Sequence, residues 1–182
     1  MDFIKTELNN VFLIKPKVFQ DNRGFFLESF SAREFEDNGI HCTFIQDNHS
    51  KSIPSGVLRG LHFQKPPNAQ SKLIRATKGA ILDVVVDIRK SSSTYGKWLS
   101  FELTEDNFDI LFVPAGFAHG FCTLKPYTEV QYKVDRFYAP ESDSGIRWND
   151  PDLLIPWPVT EPVLSAKDAL LPFFNDLQSP FE

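Results

Sequence analysis

Gly56-Val57-Leu58-Arg59-Gly60-Leu61-His62-Phe63-Gln64 sets an arginine and a histidine into an otherwise apolar, strand-like run. Glycines at 56 and 60 stand where a backbone can bend or be closely approached. The stretch predicts a core strand that carries polar chemistry. A lone histidine in such a run is more often a satisfied core residue, so the reading depends on whether other segments repeat the pattern. Arg59 and His62 are three apart, and a regular strand would turn them to opposite faces. They converge only if Gly60 introduces a bulge.

Working outward, candidate strands follow at 42–49, 72–77, 80–89, 97–104, 108–114, 117–124 and 129–138, with turns at Lys78-Gly79 and Glu105-Asp106-Asn107. Short strands every ~8 to 12 residues argue for an all-β sandwich or barrel rather than βαβ units. A jelly roll fits this pattern best. Upstream, 11–19 and 25–30 flank the turn signal Asp21-Asn22-Arg23-Gly24 and predict a hairpin. Ser31, Glu34 and Gly39 predict a short peripheral helix over 32–38 with a capping box. Residues 165–174 add one helical turn before Pro172. No repeat or linker interrupts the chain, so 1–182 reads as one domain.

A hydrophobic content of 42% with 18 phenylalanines argues for a dense interior and against disorder. The net charge of −5 disfavours nucleic acid as a partner, although it leaves room for a local basic pocket. Cys42 and Cys122 lack metal-type spacing and read as free thiols in a reducing compartment. There is no apolar run of ~18 residues and no signal-like N-terminus, so no membrane partner is expected and the cytoplasm is the default.

Alternation along strands tells which side chains share an interior. Lys72 lies on one face with Ile74 and Ala76. Tyr132 lies with Val130 and Val134, so its phenol points into the apolar interior and its hydroxyl needs a partner or a task. Asp83 and Asp87 share a face, either solvated or buried against a cationic or histidine partner.

The second histidine segment is Val113-Pro114-Ala115-Gly116-Phe117-Ala118-His119-Gly120-Phe121. Its Pro-x-Gly-x-x-His spacing resembles the second motif of the cupin superfamily, and Gly56 to His62 resembles the start of the first. The resemblance implies a cupin-type jelly roll, or double-stranded β-helix, with two imidazoles at one end. Metal-binding cupins carry His-x-His and then Glu. Here Gln64 stands two after His62, and Lys65, Lys72, Arg75 and Lys78 are the charges before Gly79. Too few donors remain for a metal shell, and an ammonium would repel the cation. No metal and no cofactor is expected. A pocket keeping His, Lys and an interior Tyr instead suits proton transfer at a carbon next to a carbonyl.

Eight segments in order, DNRGFFLESF (21–30), QDNHS (46–50), GVLRGLHFQ (56–64), QSKLIRATKG (70–79), VPAGFAHGF (113–121), YKVDRFYAPE (132–141), IRWNDP (146–151) and LSAKD (164–168), resemble the dTDP-4-dehydrorhamnose 3,5-epimerase family. The resemblance implies that His62 is the base at C5 and C3 of a dTDP-4-dehydro-6-deoxy sugar. It implies that Asp168 pairs with His62, with Asp83 a second candidate for that place, that Tyr132 reprotonates the opposite face, and that Lys72 stabilises the enolate. Arg23, Arg59, His119 and Lys167 match positions that hold the diphosphate or the sugar. Glu28, Gln46, Asp47 and Asn48 match the nucleotide segment, with Phe26 and Tyr138 as stacking surfaces for thymine. Asp143 stands where some members carry a glutamate, which shortens its reach. A homodimer is implied in which N-terminal strands, with Arg23 and Glu28, act in the partner's site. An epimerase inverting only C3 or only C5 would carry the same residues. A non-catalytic sugar-nucleotide-binding jelly roll would not need His62, Lys72, Tyr132 and Asp168 together.

Overall fold

A computed structural model describes residues 1–182. The chain opens with β1 (Asp2–Lys5) and β2 (Phe12–Lys15), followed by β3 (Val18–Asp21), β4 (Gly24–Leu27) and helix α1 (Ala32–Asp37). Nine strands follow: β5 (Gln46–Ser52), β6 (Leu58–Gln64), β7 (Lys72–Lys78), β8 (Ala80–Asp87), β9 (Trp98–Thr104), β10 (Ile110–Val113), β11 (Phe117–Thr123), β12 (Thr128–Val134) and β13 (Asp143–Gly145). Short 3-10 turns at Pro140–Ser142, Asp168–Leu170 and Phe174–Asp176 complete the chain.

Two antiparallel sheets form the jelly roll, ordered β1-β2-β10-β7-β12-β5 and β13-β6-β11-β8-β9. The β3–β4 hairpin joins neither. Ile74 and Val130 from the larger sheet meet Ile81, Val85, Phe117 and Phe121 from the smaller one, which makes the interior apolar. Both outer faces are also covered. Phe35 of α1 packs with Phe12, Ile14, Leu73 and Phe112 on the larger sheet, while Leu153, Trp157, Phe174 and Phe181 cover Val84, Val86 and Ile88 on the smaller. This explains why β8 reads as a nearly continuous apolar run: it is buried on both faces.

The C-terminal segment has no periodicity because it is a strap, not a sheet element. Leu58 N–H bonds the Val163 carbonyl at 3.1 Å and Val163 N–H bonds that of Gly56 at 2.9 Å. Farther on, the buried Asp150 carboxylate accepts the Phe174 N–H at 2.6 Å, and Lys90 N–H bonds the Phe181 carbonyl at 3.1 Å.

Several expected boundaries move. The 11–19 run divides at Lys15-Pro16, and only Val18–Asp21 enters the hairpin. β5 begins at Gln46 rather than 42, because Cys42 and Phe44 pack against the outer aromatic cluster instead of pairing. β12 ends at Val134 rather than at 138. The capping box does not form: Ser31 makes no side-chain cap, and Glu34 bonds the Met1 ammonium at 2.7 Å.

Candidate active site

The decisive local event is a bulge in β6. His62 pairs with His119 and Arg59 with Phe121, so three steps on β6 match two on β11. Gly60 takes the extra residue at φ +123°, where a side chain would be strained. The bulge turns both Arg59 and His62 towards one cavity. Gly120 lies so close that a Cβ on Gly60 would stand 2.6 Å from its Cα.

These residues line a cavity of about 300 Å³ together with Ser50, Lys72, His119, Phe121, Tyr132, Ser165, Lys167 and Asp168. His62 Nε2 lies 2.7 Å from Asp168 Oδ1. Against a carboxylate held in its charged form, Nε2 is the donor of this bond. Burial pushes the Asp168 carboxyl up, but the His62 hydrogen bond and charge, the Gly60 N–H and the Ser165 hydroxyl outweigh it and hold it below its ordinary value. The turn that presents Asp168 is closed by its own N–H donating to Ser165 Oγ at 3.0 Å.

Lys72 donates to the His62 carbonyl at 3.3 Å. Burial pushes its pKa down to about 8, against the pull of Asp83 and Asp143. Asp83 does not serve His62: its carboxylate meets His119 Nε2, both oxygens at 2.9 Å. The reason is register, since His119 faces Val85 across β11 and β8 and so reaches Asp83 diagonally. Burial holds His119 below the usual imidazole range and Asp83 above the usual carboxylate range. His119 lines the cavity with its Nε2 committed to Asp83. Tyr132 carries a phenol that burial raises, with Arg59 opposing.

No three His, Cys, Asp or Glu side chains stand together as a ligand set. Gln64 is fully committed elsewhere, donating to the Asn68 and Phe137 carbonyls and accepting the Ala139 N–H.

A family profile described as dTDP-4-dehydrorhamnose 3,5-epimerase matches residues 5–176. The chain belongs to that family. It is 52% identical over 169 residues to the dTDP-4-dehydrorhamnose 3,5-epimerase of Shigella flexneri, covering 92% of this chain and 93% of that one. Among solved structures it resembles the Bacillus anthracis enzyme with TDP and PPi bound, with TM-score 0.93, 52% identity and 94% and 98% of the two chains covered. It also resembles the Legionella pneumophila 3,5-epimerase in complex with dTDP-4-keto-L-rhamnose, with TM-score 0.94, 41% identity and 100% and 98% covered.

In this member of the epimerase family the remaining candidate residues divide three ways. Gln46, Asn48, Tyr138, Asp143 and Lys167 form a chain leading to the cavity. Gln46 Nε2 donates to Asn48 Oδ1 at 2.9 Å, Tyr138 N–H to Gln46 Oε1 at 3.4 Å, and the Tyr138 hydroxyl to Asp143 Oδ2 at 3.0 Å. Lys167 makes a close ion pair with the same Asp143 oxygen. Asp47 points the other way, to Lys133 at 2.8 Å.

Arg23, Phe26 and Glu28 do not line their own chain's cavity. They lie on or beside the exposed hairpin, where Arg23 is bonded to Asp21 at 2.6 Å and Phe26 is 66% exposed. Sequence reasoning missed Ser50, Phe121 and Ser165. Alternation from Asn48 could have found Ser50, and alternation from His119 could have found Phe121. Ser165 shows no sequence signal beyond its turn-forming type.

Proposed function

We propose that this cavity inverts C3 and C5 of dTDP-4-dehydro-6-deoxy-D-glucose, yielding dTDP-4-dehydro-L-rhamnose by proton transfer alone. The observation that carries the reading is the convergence of the His62–Asp168 pair, the Lys72 ammonium and the Tyr132 phenol on one small cavity. Asp168 holds Nε2–H, so Nδ1 takes the proton from the carbon next to the C4 carbonyl. Lys72 donates to the C4 oxygen as negative charge gathers there, a stabilisation made stronger by its exclusion from water. Tyr132 then returns a proton to the opposite face, at least at C5, and configuration is inverted. Arg59 and Lys167 supply cationic donors for the diphosphate. The work is done without a cofactor, in the cytoplasm.

We further propose a homodimer with exchanged N-terminal strands. The β3–β4 hairpin has no sheet partner in its own chain, and β5 is a free sheet edge carrying Gln46 and Asn48. A partner's hairpin beside that edge brings its Arg23, Glu28 and Phe26 to the nucleotide end, with Phe26 and Tyr138 enclosing the thymine. Free edges of this kind are pairing templates.

The test is a coupled assay: purified protein, dTDP-4-dehydro-6-deoxy-D-glucose, a 4-ketoreductase specific for the L-rhamno product, and NADPH. Formation of dTDP-L-rhamnose dependent on this protein is expected. Absence of any rhamnose nucleotide with active reductase would overturn the reading.

A further inference from the structure

We infer that the Ser50 hydroxyl is a substrate-contacting group of this cavity, hydrogen-bonded to an oxygen of the bound sugar diphosphate. Among buried side-chain nitrogen and oxygen atoms, Ser50 Oγ alone has no hydrogen-bond partner. Buried polar atoms are almost always paired in native proteins, so a single exception that lines a cavity asks for a reason. The inference rests on the epimerase reading of the cavity and adds a residue to it.

Position supplies the reason. Gln46, Asn48, Ser50 and Ser52 share the inward face of β5. Gln46 and Asn48 bond each other, and Ser52 Oγ accepts from Arg59 at 3.4 Å. Ser50 alone is unpaired. Its cross-strand neighbour on β12 is Val130, a fully buried apolar residue that offers nothing, and Tyr132 is the next inward residue along that strand. Ser50 therefore stands between the Asn48–Tyr132 pair and the Ser52–Arg59 contact. A sugar diphosphate spanning that interval presents oxygens throughout, and one staggered rotation about χ1 turns a serine hydroxyl from one direction to another.

A hydroxyl with no partner in the free protein does nothing for folding, so its removal should show in substrate handling and not in stability. Ser50→Ala is expected to keep or slightly raise the melting temperature while kcat/KM falls about tenfold, the equivalent of one ordinary hydrogen bond. Ser50→Thr, which restores the hydroxyl, should recover most of the loss. Calorimetric titration locates the contacted oxygen. Weakening of dTDP itself points to the diphosphate, and weakening of the sugar nucleotide alone points to the sugar; either supports the inference. A kcat/KM and both affinities within about twofold of wild type would overturn it, and so would a melting temperature lowered in step with activity, which would make Ser50 structural. If wild type itself fails to turn over, the epimerase reading falls, and the titration alone still decides whether Ser50 contacts a ligand.

Discussion

His62 Nε2 and Asp168 Oδ1 lie 2.7 Å apart although 106 positions separate the two residues along the chain. The pairing depends on two unrelated devices. The Gly60 bulge turns His62 inward, and the C-terminal strap, stitched to Gly56 and Leu58 through Val163, carries Asp168 back to it. The Gly60 N–H adds a second, longer bond to Asp168 at 3.4 Å, so both devices meet at one carboxylate.

His62→Ala is expected to reduce turnover by about 10³-fold or more, with dTDP affinity changed by less than about threefold. Asp168→Asn keeps the shape but loses the charge behind the imidazole, and should cost about 10²-fold in kcat. Steady-state kinetics and calorimetric titration read both; near-normal turnover in His62→Ala would remove the base from the account.

Tyr132→Phe should lose most C5 inversion while retaining some exchange of the abstracted proton with solvent, because the base and the enolate stabiliser remain. NMR of C5 in deuterated water separates the two. Loss of exchange together with loss of dTDP binding would make Tyr132 a structural residue.

Lys72, with a pKa pushed down to about 8 by burial, should give kcat/KM an alkaline limb near that pH as the ammonium loses its proton. Lys72→Met should be inactive at every pH. Stability runs the opposite way: between about 8 and 10.5 the unfolded chain holds the proton more often, so this group's contribution to unfolding free energy rises with pH. Below about 8 its burial penalty is fully present. Urea unfolding across that window should show the rise in wild type and a flatter profile in Lys72→Met.

Gly60→Ala forces a left-handed backbone on a residue with a Cβ and drives that atom to 2.6 Å from Gly120 Cα and 2.8 Å from the His119 carbonyl. A loss of about 2–4 kcal/mol is expected. Because relief requires β6 and β11 to move apart, activity should fall with stability. Denaturant midpoints together with kcat test this; an unchanged midpoint would contradict the tight crossing.

Most of the sheet was legible because its strands alternate. Lys72 reads with Ile74 and Ala76, and Tyr132 with Val130 and Val134, wherever the strands are finally paired. What alternation cannot give is pairing. Asp83 reads as solvated or as buried against a cationic or histidine partner, with His62 the partner the resemblance offers; the diagonal from His119 across β11 and β8 pairs it with His119 instead, and Asp87 is buried against Arg89, two positions along its own segment. Asp168 lies in a strap that meets the sheet backbone through isolated bridges rather than a ladder, so no periodic signal marks its path; only family resemblance pointed to it. Cys42 and Phe44 mimic a strand by alternating, yet they serve an aromatic cluster outside the sheet. Arg23 shows the remaining limit: its hairpin makes no sheet contact within this chain, so no reading of one chain could attach it to a cavity.

The account stands most directly on proton exchange. Purified protein incubated with dTDP-4-dehydro-6-deoxy-D-glucose in deuterated water, followed by NMR at C3 and C5, should show deuterium entering both carbons in wild type and neither in His62→Ala. Deuterium at only one carbon in wild type, or equal labelling in the variant, would contradict the proposal that one histidine, held by Asp168, opens both stereocentres.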